Sequence, residues 1–249
     1  MPVFFVDDDA VKPPHITIRG PLARHLARSL RLRPGERCRF ADAGERRYLG
    51  ELTTVTPTTV VATIVREEPP LPPLRPVILA QAILKGHRMD WLLQKAAELG
   101  AERVIPMITG RTIVQPRHDR AGAQQQRWTT ILREAAQQSG RSRPPEIGPP
   151  CSLRECLAAT PRESARLLLW EGEEETRLAR WLPRLPQLQP IHLFVGPEGG
   201  FTPEEVAEAV AAGAQTVSLG PLILRAETAA LAALAIIHGD MPTEPRAAS

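Results

Sequence analysis

A glycine-rich loop at residues 196–200 is the segment of this chain best suited to holding a ligand. It follows an apolar run at residues 191–195, which predicts a strand. Thr202, Pro203 and Glu205 then predict a capped helix start. Because glycine lacks a side chain and tolerates positive φ, the loop backbone can approach a ligand closely. Ligands collect at such carboxyl ends of strands in open α/β sheets.

The glycine spacing argues against two common phosphate sites. The loop lacks the GK[ST] ending of a Walker loop and is not a G-x-G-x-x-G dinucleotide motif. The loop spacing is still compatible with a pocket that binds adenosine through backbone atoms. The alternative is a structural turn before a well-capped helix.

A second glycine loop occupies residues 219–225, between a strand predicted at 216–219 and an apolar helix predicted at 229–238. Arg225 and Glu227 lie just outside the predicted start of that helix. Such a pair is more often a salt bridge or a cap than catalytic machinery. If the two glycine loops follow neighbouring strands, Arg225 and Glu227 would lie close to a ligand bound between them.

The elements that must position these loops alternate between strand and helix. Beyond the strands already named, strands are predicted at residues 77–84, 103–108 and 167–170, and helices at 88–99 and 122–138. This alternation predicts a mainly parallel sheet with helices on both faces.

The front of the chain has a different pattern. Short strand-like runs lie at residues 3–6, 15–18, 37–41, 47–52 and 58–65, and they predict a small β-barrel. One helix interrupts them, with Leu22, Leu26 and Leu30 predicted as a buried stripe and arginines on another face. Five prolines within residues 66–76 then predict an extended interdomain linker.

The charge distribution is lopsided. Residues 1–150 carry 23 basic and 15 acidic side chains, a net charge of +8, whereas the remainder carries 8 and 13, a net charge of −5. A basic front favours contact with a polyanion such as RNA, although a solvated basic surface would look the same.

The cysteine and hydropathy patterns argue against a metal site, a membrane span and a secretion signal. Cys38, Cys151 and Cys156 show neither CxxC pairing nor zinc-ligand spacing, so we expect buried free thiols and no metal. No apolar stretch approaches the length of a membrane span, and residues 1–7 do not resemble a signal peptide. We therefore expect a cytoplasmic protein.

The segments GPEGGFTPEEV and LGPLILRAETAA, with KGHRMDWLLQKAAELG upstream, resemble those of one known family. RHLARSLRLRPGE and QQSGRSRPPEI extend the similarity over nearly the whole chain. The chain resembles the RsmE family, the 16S ribosomal RNA (uracil-N3)-methyltransferases of the SPOUT superfamily.

The resemblance implies a SPOUT-type α/β fold: a parallel sheet with a C-terminal trefoil knot, preceded by a small PUA-like β-barrel. The expected parts are an RNA-binding barrel at residues 1–68, a proline-rich linker at 69–76, a methyltransferase domain at 77–241 and a disordered tail at 242–249. It also implies a homodimer that uses S-adenosylmethionine to methylate 16S RNA of the small ribosomal subunit.

The resemblance further implies site residues. The expected cofactor-binding residues are Leu169, Trp170, Glu171, Val195, Gly196, Pro197, Gly199, Gly200, Leu219, Gly220, Leu222, Ile223, Leu224, Thr228 and Ala229. Our own hypothesis for the reaction is that Arg225 stabilises a uracil anion. Glu198 and Glu227 either orient Arg225 or relay the proton, or they have a purely structural role. The expected RNA-binding residues are Arg24, Arg28, Arg31, Arg33, Lys85, Arg88, Arg141 and Arg143.

Three positions depart from the family pattern. Leu222 replaces a usual Arg, Gln137 a common Glu and His87 a usual Asp, which weakens a catalytic role for positions 222 and 137. The alternatives are another SPOUT RNA methyltransferase, acting on ribose 2′-hydroxyls or transfer RNA, a non-catalytic RNA-binding protein of ribosome assembly, or an α/β protein that binds another adenine nucleotide.

Overall fold

A computed structural model describes residues 2–114 and 121–239. The chain divides into two compact units, residues 1–71 with 136–144 and residues 72–135 with 145–249. The predicted tail at residues 242–249 lies outside the described residues.

The first unit is built on a six-stranded sheet. Its strands are β1 (Val3–Phe5), β2 (Val11–Lys12), β3 (His15–Arg19), β4 (Arg37–Ala41), β5 (Arg47–Val55) and β6 (Thr59–Glu68), in the order β1-β4-β5-β6-β3-β2. The β1–β4 pair is parallel and the other pairs are antiparallel. Alternate residues such as Ile16, Ile18, Phe40 and Val60 face inward and form a compact apolar core.

The predicted helix of this unit is shorter and less regular than its leucine spacing indicates. Helix α1 spans Gly20–Arg24 and continues as a π-helical turn over His25–Ser29. The turn is closed by the Leu30 N–H, which donates to the His25 carbonyl five residues earlier. The wider turn rotates Leu30 out of the core, so it is 43% exposed while Leu26 is buried. The prediction of a buried stripe was therefore wrong at Leu30.

The second unit contains a parallel seven-stranded sheet, which confirms the predicted α/β class. Its strands are β7 (Val77–Ala82), β8 (Arg103–Ile108), β9 (Glu146–Ile147), β10 (Cys151–Ser152), β11 (Ala165–Leu169), β12 (Ile191–Val195) and β13 (Gln215–Val217). They lie in the order β10-β8-β7-β12-β11-β13, with β9 also paired to β8. Every pairing is parallel, and β12 is buried along its whole length because helices cover both faces.

After β7, the α-helices of the described residues are α2 (His87–Glu98), α3 (Ala121–Ser139), α4 (Leu153–Ala158), α5 (Leu178–Trp181), α6 (Pro203–Ala211) and α7 (Ala226–Gly239). Apolar residues of α2, α3, α5 and α7 form the core on one face, and those of α4 and α6 form the core on the other. In the described parts of the chain, no helix is both long and apolar enough to cross a bilayer.

Helices α7 and α4 differ from the sequence prediction. Helix α7 begins at Ala226 rather than at residue 229, so Glu227 lies inside its first turn, where the helix dipole favours an acid. Helix α4 was not predicted. Ser152 caps it and Glu155 completes a capping box, and the Ser-x-x-Glu spacing is the signal that would have revealed it.

The cysteine prediction was right for one residue and wrong for two. Cys38 is a buried free thiol, and burial, with a smaller effect of Glu36, raises its pKa to about 11. Cys151 and Cys156 form a disulfide, since the turn from β10 into α4 brings their Cα atoms to 6.3 Å. The five-residue separation in the sequence does not reveal this contact, because the contact depends on the turn from the strand into the helix.

Candidate functional site

Three strands of the second unit end side by side. The register pairs Leu169, the last residue of β11, with Val195 at the end of β12 and with Val217 at the end of β13. Gln81 on β7 continues the same row beside Val195. The loops that follow β11, β12 and β13 therefore leave the sheet at one edge and face one another.

The loop after β12 packs tightly against its neighbours at two of its glycines. A Cβ added at Gly196 would lie 3.2 Å from the backbone carbon of Gly200. Gly200 has φ +69°, and an added Cβ would overlap the carboxylate of Glu171 from the loop after β11. The predicted helix cap follows: Thr202 and Glu205 exchange reciprocal hydrogen bonds of 3.2 and 2.9 Å at the start of α6.

Residues outside the predicted set also fix this loop. The side chain of Gln81, fully buried, donates from Nε2 to the Gly196 carbonyl over 3.2 Å. Arg111 Nη1 donates to the Gly199 carbonyl over 2.7 Å, and the Gly110 N–H donates to Glu205 Oε1 over 2.7 Å. Sequence reasoning missed all three. Their position at the carboxyl ends of β7 and β8 was the available signal.

The loop after β13 forms the opposite wall. Ser218 anchors its start by donating its N–H to the Thr176 carbonyl over 2.9 Å. The tip is apolar and exposed, since Leu222 is 77% and Ile223 88% accessible. Arg225 ends the loop, is exposed, and forms no ion pair with any described residue.

Together the three loops enclose a cleft of about 380 Å³. Every predicted cofactor-binding residue lines it except Thr228, which is exposed on α7. Further lining residues are Arg88, Glu198, Phe201, Val217, Ser218, Pro221, Arg225 and Ala226. The walls therefore combine backbone amides, apolar side chains and four charged side chains.

The acidic candidates pair differently from the sequence hypothesis. Glu198 Oε1 accepts the Lys85 N–H over 3.2 Å and lies 3.4 Å from Arg88 Nη1. Glu227 is 7% exposed, does not line the cleft, and its Oε1 lies 3.9 Å from Arg88 Nε. Among the described residues neither carboxylate contacts Arg225. The cation that both carboxylates approach in the structure is Arg88 of α2.

Six of the predicted RNA-binding residues belong to the first unit and two to the second. Arg24, Arg28, Arg31 and Arg33 are exposed, and no acidic side chain among the described residues pairs with them. Arg143 instead forms an ion pair with Glu45 at 3.2 Å. Arg141 is half-buried, whereas Lys85 and Arg88 are exposed beside the cleft.

The two other departures from the family pattern lie outside the cleft lining. His87 begins α2 and is exposed, and Gln137 is half-buried on α3. No group of three or more His, Cys, Asp or Glu side chains gathers in a metal-binding arrangement within residues 2–114 and 121–239.

Comparisons with known proteins agree over both units. The model of a family described as an RNA methyltransferase domain matches residues 70–238, and one described as an RNA methyltransferase PUA domain matches residues 18–65. The ribosomal RNA small subunit methyltransferase E of Bacillus subtilis is 30% identical over 90% of this chain and 90% of its own length. Its counterpart from Synechocystis is 34% identical over 90% of this chain and 72% of its own.

Solved structures show the same architecture. The crystal structure of ribosomal RNA small subunit methyltransferase E from Neisseria gonorrhoeae, bound to S-adenosyl methionine, has a TM-score of 0.84 and 33% identity, covering 97% of this chain and 98% of its own. A putative methyltransferase from Legionella pneumophila with the same bound cofactor has a TM-score of 0.83 and 28% identity, covering 95% and 96%. The expected fold class, a SPOUT sheet preceded by a PUA-like domain, is thus confirmed. The chain belongs to the RsmE family of small-subunit ribosomal RNA methyltransferases.

Proposed function

We propose that this protein transfers the methyl group of S-adenosylmethionine to N3 of a uridine in the 16S RNA of the small ribosomal subunit. The observation that carries the proposal is the cleft at the aligned ends of β11, β12 and β13. Glycine backbone forms one wall, and the other carries Arg225, which has no ion-pair partner among the described residues. Membership of the RsmE family supports the class of substrate.

The residues present fit the proposed cofactor. The cleft has the volume of an ordinary small-molecule site, about 380 Å³. Side chains at positions 196 and 200 would fill the space beside the loop backbone. Trp170 and the loop after β13 offer apolar surface for an adenine ring, while Gly196 and Gly220 leave backbone groups within reach of polar atoms. When bound, S-adenosylmethionine supplies an electrophilic methyl group.

The protein's own task is to favour a deprotonated uracil. N3 is a poor nucleophile while it carries its proton, so the site must stabilise negative charge spread over O2, N3 and O4. Arg225 lines the cleft, and no carboxylate within residues 2–114 and 121–239 forms an ion pair with it, so we assign it this role. Glu198 lines the same cleft, but its Oε1 accepts the Lys85 N–H and lies 3.4 Å from Arg88, so we assign it a positioning role and no proton transfer.

The basic surface of the first unit supports RNA contact. Arg24, Arg28, Arg31 and Arg33 are exposed and have no acidic partner in the described part of the chain, which suits phosphate neutralisation. In the second unit, Lys85 is exposed beside the cleft and is a further candidate for a phosphate contact. The trefoil knot and the homodimer, both implied by the family, belong to the same proposal, and light scattering of the purified protein tests the dimer.

Transfer of labelled methyl groups to purified small subunits and to naked 16S RNA, followed by nucleoside analysis, tests the function. We expect 3-methyluridine as the product. A methylated ribose or another base would overturn the substrate assignment. No transfer despite measured cofactor binding would redirect the search to transfer RNA, and no cofactor binding would favour a docking protein.

Arg225→Gln tests the catalytic assignment. We expect the transfer rate to fall about 100-fold, because one donor to a developing anion is lost, while cofactor affinity changes little. Arg184→Gln, which alters an exposed arginine outside the cleft, is the matched control. Equal rates for both variants would remove Arg225 from the mechanism.

A further inference from the structure

Arg88 occupies the point where three segments around the cleft meet. It is the second residue of α2, lines the cleft and has a side chain that is 46% exposed. Its guanidinium lies 3.4 Å from Glu198 in the loop after β12 and 3.9 Å from Glu227 in the first turn of α7. Glu198 Oε1 also accepts the Lys85 N–H from the turn before α2. The Arg88 side chain therefore connects the glycine loop to the helix that follows Arg225.

Glu227 needs this cation more than Glu198 does. Its Oε2 is shielded from solvent and has no hydrogen-bond partner among the described residues. Of the described cations, Arg88 is the one within ion-pair distance, although 3.9 Å is too long for a hydrogen bond. The N-terminus of α7 offsets part of the charge, but a buried carboxylate without a paired cation is strongly unfavourable.

We infer that Arg88 is a positioning residue that holds the Glu198 loop against the start of α7 and so sets the separation between the glycine loop and Arg225. The inference rests on the proposed function for the reaction it serves. It replaces the RNA contact predicted for Arg88 from the sequence, since the guanidinium is directed at two carboxylates of the protein itself.

A double-mutant cycle on transfer rate tests the inference. Arg88→Gln should lower the single-turnover rate about 30-fold at saturating cofactor and RNA, with RNA affinity and its salt dependence unchanged. Glu198→Gln should lower the rate as well. The rate of the double variant should lie within about threefold of that of Arg88→Gln, because both changes break the same connection. Arg88→Lys should recover part of the rate.

A second cycle needs neither cofactor nor RNA. Arg88→Gln leaves Glu227 buried without its cation, so the urea midpoint of unfolding should fall. Adding Glu227→Gln should restore much of that midpoint, since a neutral amide carries no uncompensated charge. Arg127→Gln, which removes the 2.6 Å pair with Asp90, is the matched control and should leave the transfer rate unchanged.

Three results would overturn the inference: rate effects of Arg88 and Glu198 that multiply, a loss confined to RNA affinity, or an additive unfolding cycle for Arg88 and Glu227. Failure of the proposed function is distinguishable from these. If the wild-type protein forms no 3-methyluridine, the unfolding cycle still reports directly on the connection between α2 and α7.

Discussion

Gln81 Nε2 lies 3.2 Å from the carbonyl oxygen of Gly196 and 3.0 Å from that of Ala82. Two acceptors surround one amide nitrogen, so the amide orientation follows from its neighbours. The side chain is completely buried, and its Oε1 has no partner among the described residues. The first glycine of the loop is thus held by a side chain on the neighbouring strand rather than by its own turn alone.

Gln81→Met should therefore weaken cofactor binding without unfolding the protein. Losing one hydrogen bond to the loop should raise the dissociation constant about three- to tenfold. The unfolding free energy should stay within about 1 kcal/mol, because the unpartnered Oε1 leaves together with the donor. Titration calorimetry and urea denaturation measure the two effects. Unchanged affinity would show that the loop does not depend on Gln81.

Gly200→Ala should impair cofactor binding more strongly. Its φ of +69° strains any side chain, by about 1–2 kcal/mol, and the new Cβ displaces the Glu171 carboxylate. We expect at least about a tenfold loss of affinity. Gly213→Ala is the control, since Gly213 has a similar φ of +84° and lies outside the cleft lining. Equal losses of affinity in both variants would attribute the effect to general destabilisation.

Leu222→Arg should strengthen RNA binding. Leu222 is 77% exposed, so the change costs little stability, and it introduces the charge that the family resemblance implies at this position. The slope of log affinity against log salt should steepen by about one unit. Ile223→Arg adds the same charge at the neighbouring position, which is 88% exposed. If both variants bind alike, the gain reflects net charge and not position 222.

The paired substitution of Arg24 and Arg28 by Gln should weaken RNA binding for every sequence tested. Both side chains are exposed and have no acidic partner among the described residues. Each substitution should therefore reduce the slope of log affinity against log salt by about one unit. Arg154→Gln is the control because Arg154 already pairs with Glu208 at 2.6 Å. A salt slope equal to that of the wild-type protein would exclude phosphate contact by this helix.

His192 should make the protein sensitive to acid. Burial, with smaller effects of Arg166 and Arg103, lowers its pKa from 6.5 to about 4. Between pH 4 and 6.5 the folded state therefore binds fewer protons than the unfolded state. The contribution of neutral His192 to the free energy of unfolding is fully present above pH 6.5 and is lost as the pH falls toward 4. The loss should approach about 3 kcal/mol.

Comparison with His192→Phe isolates this contribution, since the carboxylates titrate in both proteins. Urea denaturation at several pH values should show a weaker acid dependence in the variant, although it also loses the 3.1 Å contact with Thr160. Parallel curves for the two proteins would exclude His192 as the acid-sensitive group.

The sequence alone determined the elements whose signals are local. The strands over residues 37–41, 103–108 and 191–195 and the capping box at Thr202 follow from apolar runs and cap spacing, and the structure has them where predicted. The family motifs also lie in contiguous segments. They identified the chain and the loops that line the cleft before any contact was known.

Tertiary structure decided what depends on residues distant in sequence. Gln81 and Gly196 become neighbours because β7 pairs with β12, and Arg88 reaches both Glu198 and Glu227 because α2 packs beside α7. Side-chain type and spacing describe one segment at a time. The sheet register and the helix packing decide which segments meet, and with them which charge compensates which.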